Sequence, residues 1–565
     1  SDYSCPSEVE EKVLSYAELD RKSRHIAALL QDLNVYGKPV LIMYPPGLDY
    51  IVAYFGCLFA GAIAVPCYSP LNSSMMSTLN KVVKNSGSCH ILTIEEIKDK
   101  VWKEIDNQPY LSSLQWISTD KITVDMSSNY KNVDIKEDDL AFLQYTSGST
   151  SAPKGVMVTH GNLLLNSEYI YKGFKISSES RLVSWLPPYH DMGLIGGIIQ
   201  PLYGEFPVLI MAPISFIRRP VRWLQAITKF RATISGGPNF AYDLCVKKIT
   251  QEDKSNLDLS NWSLAFNGAE PIRIKTLERF SEFFASCGFT YKSFCPCYGL
   301  AESTLMVTVA DKEDEPSTMK LDNKSITQGI VKSCNTDDGI ILVGCGKGKK
   351  DTQVVIVNSD TNDICGEDHI GEIWVKGASV AKGYWNNEEA TEETFRSLLN
   401  NGEGPFLKTG DLGFMHDGEL YISGRIKDLI IIRGNNYYPQ DIEAIVENSD
   451  PGFRQGRIAA FSIEVKDEEQ LIIVAENNLS EFKKEEGKNI EELFLSIARA
   501  ISDKFQISVS SILIVKTSTI PLTTSGKIQR CATRQMYLNG LLKSLAEWNS
   551  GCNTKTMIKS KGVRD

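Results

Sequence analysis

The chain has 565 residues, 42% of them hydrophobic and 23% charged, with a formal net charge of −10. Single cores stop growing near roughly 250–300 residues, so one large multi-lobed domain and a smaller one are expected. The acidic balance carries no basic footprint for nucleic acid and suits a cytoplasmic enzyme. The 13 cysteines lack regular spacing, and the lone C-x-C of Cys295 and Cys297 matches neither a zinc site nor a disulfide framework.

Ser15 and Glu18 form a capping-box pattern ahead of a helix with Leu19, Ile26, Leu29 and Leu30 on one side. A short apolar run at 39–44 predicts a buried strand. Residues 50–80 carry no charge, and Ile51–Cys67 is strongly apolar. Gly56, Gly61 and Pro66 interrupt that run, so it is expected to form a buried helix (50–60) and strand (62–67), not an integral membrane segment. The sequence opens on Ser1 and shows no signal-peptide pattern.

Strand-like runs recur at 140–146, 181–186, 207–212 and 263–267, with helical patterns between most of them. Alternating strands and helices predict α/β layers with parallel sheets. Residues 310–340 are polar and read as a surface insertion. Shorter strands follow at 354–357 and 371–376, which predict a β-rich lobe. From 429 onward a strand, a helix starting near Asp441, strands near 457–463 and 471–475 and a helix at 490–505 predict a compact α+β domain. The expected division is an N-terminal domain over 1–425, a junction at 426–428 and a smaller C-terminal domain over 429–565.

The run Tyr145–Gly155 (YTSGSTSAPKG) follows a predicted strand, and its backbone N–H groups and hydroxyls can wrap phosphate oxygens. It fails the Walker A pattern. Gly344–Gly348 (GCGKG) also looks phosphate-like but precedes a strand rather than a helix, and it reads as a turn.

The whole string resembles the phosphate loop of the adenylate-forming superfamily, and further superfamily motifs follow in order. NGAEP at 267–271 is similar to the adenine-binding turn. CYGLAE at 297–302 is similar to the motif that stacks on adenine and holds Mg²⁺. KTGD at 408–411 resembles the ribose motif, SGRIKD at 423–428 the interdomain hinge and TSGK at 524–527 the catalytic lysine loop. The resemblance implies ATP and Mg²⁺ as cofactors. It implies nucleotide contacts from Thr146, Ser147, Gly148, Ser149 and Thr150, from Asn267, Gly268, Ala269 and Glu270, from Tyr298, Gly299, Leu300 and Ala301, and from Asp411 and Arg425. Lys527 and His190 would act in catalysis, Glu302 would also bind the metal, Lys427 would be the hinge and Lys154 an auxiliary cation. The acyl pocket would involve Gly193, Gly197, Gly236, Asn239 and Phe240.

PYHDMGL at 188–194, SGGPNFAY at 235–242, the Ala301–Glu302 pair and RGNNYYPQDIE at 433–443 look closer to fatty acyl-AMP ligases than to acyl-CoA synthetases. That branch implies a long-chain fatty acid substrate and transfer to the phosphopantetheine arm of an acyl carrier protein or synthase. The insertion at 310–340 would disfavour the conformation that uses CoA. Competing expectations are an acyl-CoA synthetase, a peptide-synthetase adenylation domain and an inactive nucleotide-binding regulator. Pro238–Phe240 lacks the acidic residue an amine-recognising domain would need, and the presence of Glu302 and Lys527 argues against the regulator.

Overall fold

The computed structural model describes residues 11–70, 73–105, 108–146, 153–336, 339–349, 351–465, 468–477, 489–523, 526–550 and 552–555. The chain opens on the capped helix Tyr16–Asp32, where Ser15 and Glu18 close the expected capping box. Its buried face packs on helix Leu48–Phe59, which is apolar nearly all round and lies in the main core. Gly56 permits that approach, since a Cβ there would meet Ile26 Cγ2 at 2.5 Å. The apolar run at 50–67 is therefore a buried helix followed by strand Ile63–Cys67. Among the described residues no helix is long and apolar enough to cross a membrane.

Two sheets carry the large domain. One has six strands, in the order Gln115–Ser118, His90–Thr93, Pro39–Met43, Ile63–Cys67, Leu140–Thr146 and Lys154–Thr159; only the last pairing is antiparallel. The second has seven strands. Its parallel part runs Phe294–Gly299, Leu264–Asn267, Ile234–Gly236, Leu182–Ser184 and Val208–Ile210. Strands buried on both faces read as continuous apolar runs, which is why these elements were visible as such. The β-rich lobe is a four-stranded antiparallel sheet over Thr352–Val357, Gly371–Gly377, Leu407–His416 and Glu419–Arg425.

A single turn, Ile426–Asp428, leads from that sheet into Ile430–Ile432. Residues from Ile430 to Ala546 gather a core of their own around helix Ile490–Phe505. The helix expected from Asp441 starts two residues earlier, at Pro439. Proline fits the first helical turn because its missing N–H would have had no partner there.

The 310–340 segment is more ordered than its polarity suggests. Thr318–Leu321 pairs with Ile340–Val343, and a short helix Asn323–Thr327 sits between them. Its few apolar residues are spent inward: Leu321, Ile326 and Ile340 share a small core with Phe414, Tyr421 and Tyr438. Gly344–Gly348 is a turn into an edge strand. Gly346 has φ +76°, and a Cβ there would meet the Val309 carbonyl carbon at 1.9 Å, so backbone packing accounts for that glycine.

Candidate active site

Ligands of open α/β sheets gather beyond the carboxyl ends of parallel strands. Here the segments after Leu140–Thr146, Leu182–Ser184, Ile234–Gly236, Leu264–Asn267 and Phe294–Gly299 all reach one crevice of about 1350 Å³. The β-rich lobe adds Asp411 and Arg425, and the C-terminal domain closes it with Thr523, Gly526 and Lys527. Ser147, Gly148, Ser149 and Thr150 of the expected phosphate loop lie outside the described residues. Thr146, at the end of its strand, lines the crevice.

Asp411 is held on both oxygens. The Tyr298 hydroxyl donates to Oδ2 at 2.8 Å and Arg425 Nε donates to Oδ1 at 2.8 Å. Burial, and then Asp411, push the Tyr298 phenol up, while Asp411 keeps Arg425 firmly charged. Glu302 accepts a hydrogen bond from the Tyr384 hydroxyl at 2.8 Å, and burial raises its pKa. Lys154 places its ammonium 4.5 Å from the centre of the Tyr384 ring. His190 Nδ1 lies 2.5 Å from Asp191 Oδ1, which also accepts the Met192 N–H at 2.7 Å. Burial would raise the Asp191 pKa, but His190 and that N–H outweigh it and the group is lowered. The loop before them is pinned from below by Tyr50, whose hydroxyl donates to the Pro188 carbonyl at 2.8 Å.

Lys527 is desolvated in the crevice and feels Arg425, and both effects lower its pKa; Glu270, Asp191 and Asp411 oppose them. A cation placed among three carboxylates that it does not neutralise pairwise is suited to a phosphate. Glu270 Oε1 is buried in the crevice lining with no hydrogen-bond partner among the described residues, an acceptor left for a ligand's donor. Among the described residues no group of three His, Cys, Asp or Glu could hold a metal. Glu302 alone fits Mg²⁺, which is normally held by one or two carboxylates together with substrate phosphates and water.

Gly268, Ala269, Tyr298, Gly299, Leu300, Ala301, Lys427, Gly193, Asn239 and Phe240 also line the crevice. Asn267, Gly197 and Gly236 do not. Asn267 is fully buried behind the turn and donates to Asn239 Oδ1 at 3.2 Å, so it shapes the turn. A Cβ on Gly197 would meet Ser184 Oγ at 2.8 Å, and one on Gly236 the Phe266 carbonyl oxygen at 2.1 Å. These two glycines serve close packing rather than an acyl pocket, while Gly196, like Gly193, lines the crevice. It lies on Met192–Ile199, a π-helical stretch, a rare form that concentrates at functional sites. Ile170, Phe174, Leu182, Phe206, Ile234 and Met306 add apolar lining to the crevice.

Tyr384 escaped the sequence reading because its partner Glu302 lies 82 positions away. Only the KGYW run at 382–385, the sole such aromatic pair after a glycine near the lobe, could have flagged it. Tyr384→Phe keeps the ring under Lys154 and removes the hydroxyl's bond to Glu302 together with its interaction with Thr394. A hydrogen bond to a charged group is worth roughly 1.5–3 kcal/mol, so the variant should lose about 10–100-fold in kcat/KM with unchanged thermal unfolding. Steady-state kinetics across a Mg²⁺ titration, beside a melting curve, measure this.

A sheet-end crevice that joins a desolvated cation from the C-terminal domain, a doubly held carboxylate and an apolar lining suits a nucleotide-dependent carboxylate-activating enzyme. Residues 3–385 match the family described as AMP-binding enzyme, and residues 427–547 match the Disco-interacting protein 2-like AMP domain. The chain belongs to the AMP-binding enzymes. It is 43% identical to the medium-chain-fatty-acid–[acyl-carrier-protein] ligase JamA of Moorena producens (strain JHB), over 95% of this chain and 91% of that one. It is 34% identical to the long-chain-fatty-acid–AMP ligase FadD32 of Mycolicibacterium smegmatis, over 96% and 92% of the two chains. Among solved structures it resembles the Legionella pneumophila fatty acyl-adenylate ligase in complex with acyl adenylate and pyrophosphate. That likeness has TM-score 0.73 and 40% identity, over 96% of this chain and 93% of that one.

Proposed function

We propose that the protein joins a fatty acid to AMP and passes the acyl group to the phosphopantetheine thiol of an acyl carrier protein. The observation that carries this is one crevice lined both by Lys527, Asp411, Arg425 and Glu302 and by apolar side chains such as Ile170, Phe174, Phe206 and Met306.

In the first step a carboxylate oxygen attacks the α-phosphorus of ATP. The bond from that phosphorus to the bridging oxygen breaks and pyrophosphate leaves. Negative charge accumulates on the phosphoryl oxygens, so preorganised cations supply most of the acceleration. Lys527 holds charge at the reacting phosphate, and Arg425, fixed by Asp411, supports it. Asp411 accepts from ribose hydroxyls. Glu302, oriented by Tyr384, holds Mg²⁺, which neutralises phosphate charge when bound. His190, fixed by Asp191, borders the carboxylate. In the second step the carrier thiolate attacks the acyl carbon, AMP departs and a thioester forms. Lys427, in the turn Ile426–Asp428, is placed to absorb the backbone change between the two steps.

Pyrophosphate release from ATP on adding laurate is the test. No release with any fatty acid would end this reading.

The state of Lys527 sets a pH dependence. Its ammonium is the useful form, and burial lowers the pKa at which that form is lost. The adenylation kcat/KM should therefore fall as pH rises, with its alkaline limb below the ordinary lysine range. Lys527→Arg should remove that limb while retaining part of the rate, since guanidinium stays charged. A pH–rate profile of both proteins reads this, and an identical limb in the arginine variant assigns it to another group.

A further inference from the structure

The crevice also reaches the surface, at a place the chemistry above does not use. Pro213, Ile217, Leu244, Lys247 and Lys248 line it there. They lie on helix Pro213–Arg218 and at the end of helix Asn239–Lys248. The short helix is anchored by Phe216, fully buried with its ring 4.2 Å from that of Trp185, which in turn meets Phe240 at 5.9 Å. Trp185 and Phe240 both line the crevice, so the rim adjoins its apolar side.

With Phe216 turned inward, Ile214 and Ile217 face out, 54% and 39% exposed. Residues three apart share a helix face, so the two form one apolar spot. Arg218, Arg219, Lys247 and Lys248 are exposed around it. Lys248 Nζ donates to the Ile217 carbonyl at 3.5 Å, which ties the two helices into a single patch. Asp253, whose pKa is lowered chiefly by hydrogen bonds from Thr250 and slightly by Arg219, is a carboxylate that feels that arginine's charge. In a chain of net charge −10 this is a local excess of cations around uncovered aliphatic side chains.

We propose that this rim docks the enzyme on an anionic lipid surface, so that the fatty acid enters the crevice from the membrane rather than from water. The inference rests on the fatty acid being the substrate. Apolar side chains ringed by Lys and Arg are the pattern of interfacial attachment, with apolar burial and attraction to anionic headgroups acting together. Each cation near such a surface strengthens partition roughly fivefold, and salt weakens the effect. An acidic carrier protein would also suit the cations. Its thiol must reach the acyl carbon beside Lys527, and Phe240 lies close to that turn, its Cε1 4.0 Å from where a Cβ on Gly526 would sit, so position alone does not separate the two occupants. Lipid is the occupant that also uses the two isoleucines.

The full chain is sedimented with vesicles of phosphatidylcholine alone or mixed with phosphatidylglycerol. It should pellet with the mixed vesicles at low salt, less at high salt, and stay in solution with phosphatidylcholine alone. Arg218→Glu/Arg219→Glu should weaken partition at least tenfold, and Ile214→Asp severalfold. Both variants should adenylate water-soluble octanoate at the wild-type rate and palmitate in mixed vesicles more slowly. Sedimentation needs no turnover, so this readout stands apart from any failure of the adenylation assay. Wild-type protein that stays in solution with mixed vesicles overturns the proposal. So do variants that pellet like wild type, including any that lose transfer to a carrier protein, which would make the patch a protein-docking surface.

Discussion

Lys527→Ala should fold normally and lose acyl-adenylate formation by roughly 10²–10³-fold, the range for one removed transition-state donor. The lysine follows Gly526, whose φ is +86°, in a turn where its own N–H donates to Thr523 Oγ1 at 3.1 Å. That turn projects the side chain into the crevice from the C-terminal domain, while the partners it meets there, Glu270, Asp191 and Asp411, come from the large domain. The C-terminal fold does not depend on it. Its cores form around Phe494, Ile497 and Ile473 and around Phe461, Val474 and Val515. Truncation removes a desolvated cation, so stability should hold or rise slightly while chemistry falls. Pyrophosphate release under single turnover, beside a melting curve, separates the two. A variant that makes acyl-AMP near the wild-type rate would remove Lys527 from the mechanism.

Local patterns predicted the layers and most elements because each rests on a local rule. The Ser15 capping box, the apolar strands of the two sheets and the helix at 490–505 needed only neighbours within a few positions. The motif residues were legible as strings, and most of the described ones meet at the crevice. What a string cannot carry is direction. Asn267, Gly197 and Gly236 sit within or beside the right motifs yet point away, and only the packed partners Asn239, Ser184 and Phe266 reveal it. The long-range pairs were invisible for the same reason. Arg273 bonds Glu447 at 2.8 Å across 174 positions, and Arg530 meets Glu443 twice at 2.7 Å across 87. The first bond ties the lid to the large domain and the second braces the lid internally, and nothing in the local pattern of either partner names the other.

Offered laurate, ATP, Mg²⁺ and CoA together, the enzyme should accumulate acyl-AMP, with lauroyl-CoA lower by about a hundredfold. A switch from adenylation to thioester formation needs a second arrangement of the lid, and its population is set by contacts present in the first alone. The structure holds the first, since Lys527 lies in the crevice. Several contacts secure it. Arg273 pairs with Glu447 of the lid. In the 310–340 segment, Asn323 Nδ2 donates to the Lys504 carbonyl at 2.7 Å. Leu321, Ile326 and Ile340 of that segment also share a core with Tyr438, just past the turn at 426–428. A hundredfold bias is about 2.8 kcal/mol. At about 25 cal/mol per Å², roughly 110 Å² of apolar surface buried in this arrangement alone would supply it. On this expectation the 310–340 hairpin would act as a strap on the lid, through Asn323 and the core shared with Tyr438. Deleting it outright would bare Phe414 and Tyr421, so the finer test is Asn323→Ala, which removes one bond worth about 1 kcal/mol and should raise the CoA product roughly fivefold. Both products are quantified by mass from the same reaction. Lauroyl-CoA as the main wild-type product would place the chain among CoA ligases and leave the strap without consequence.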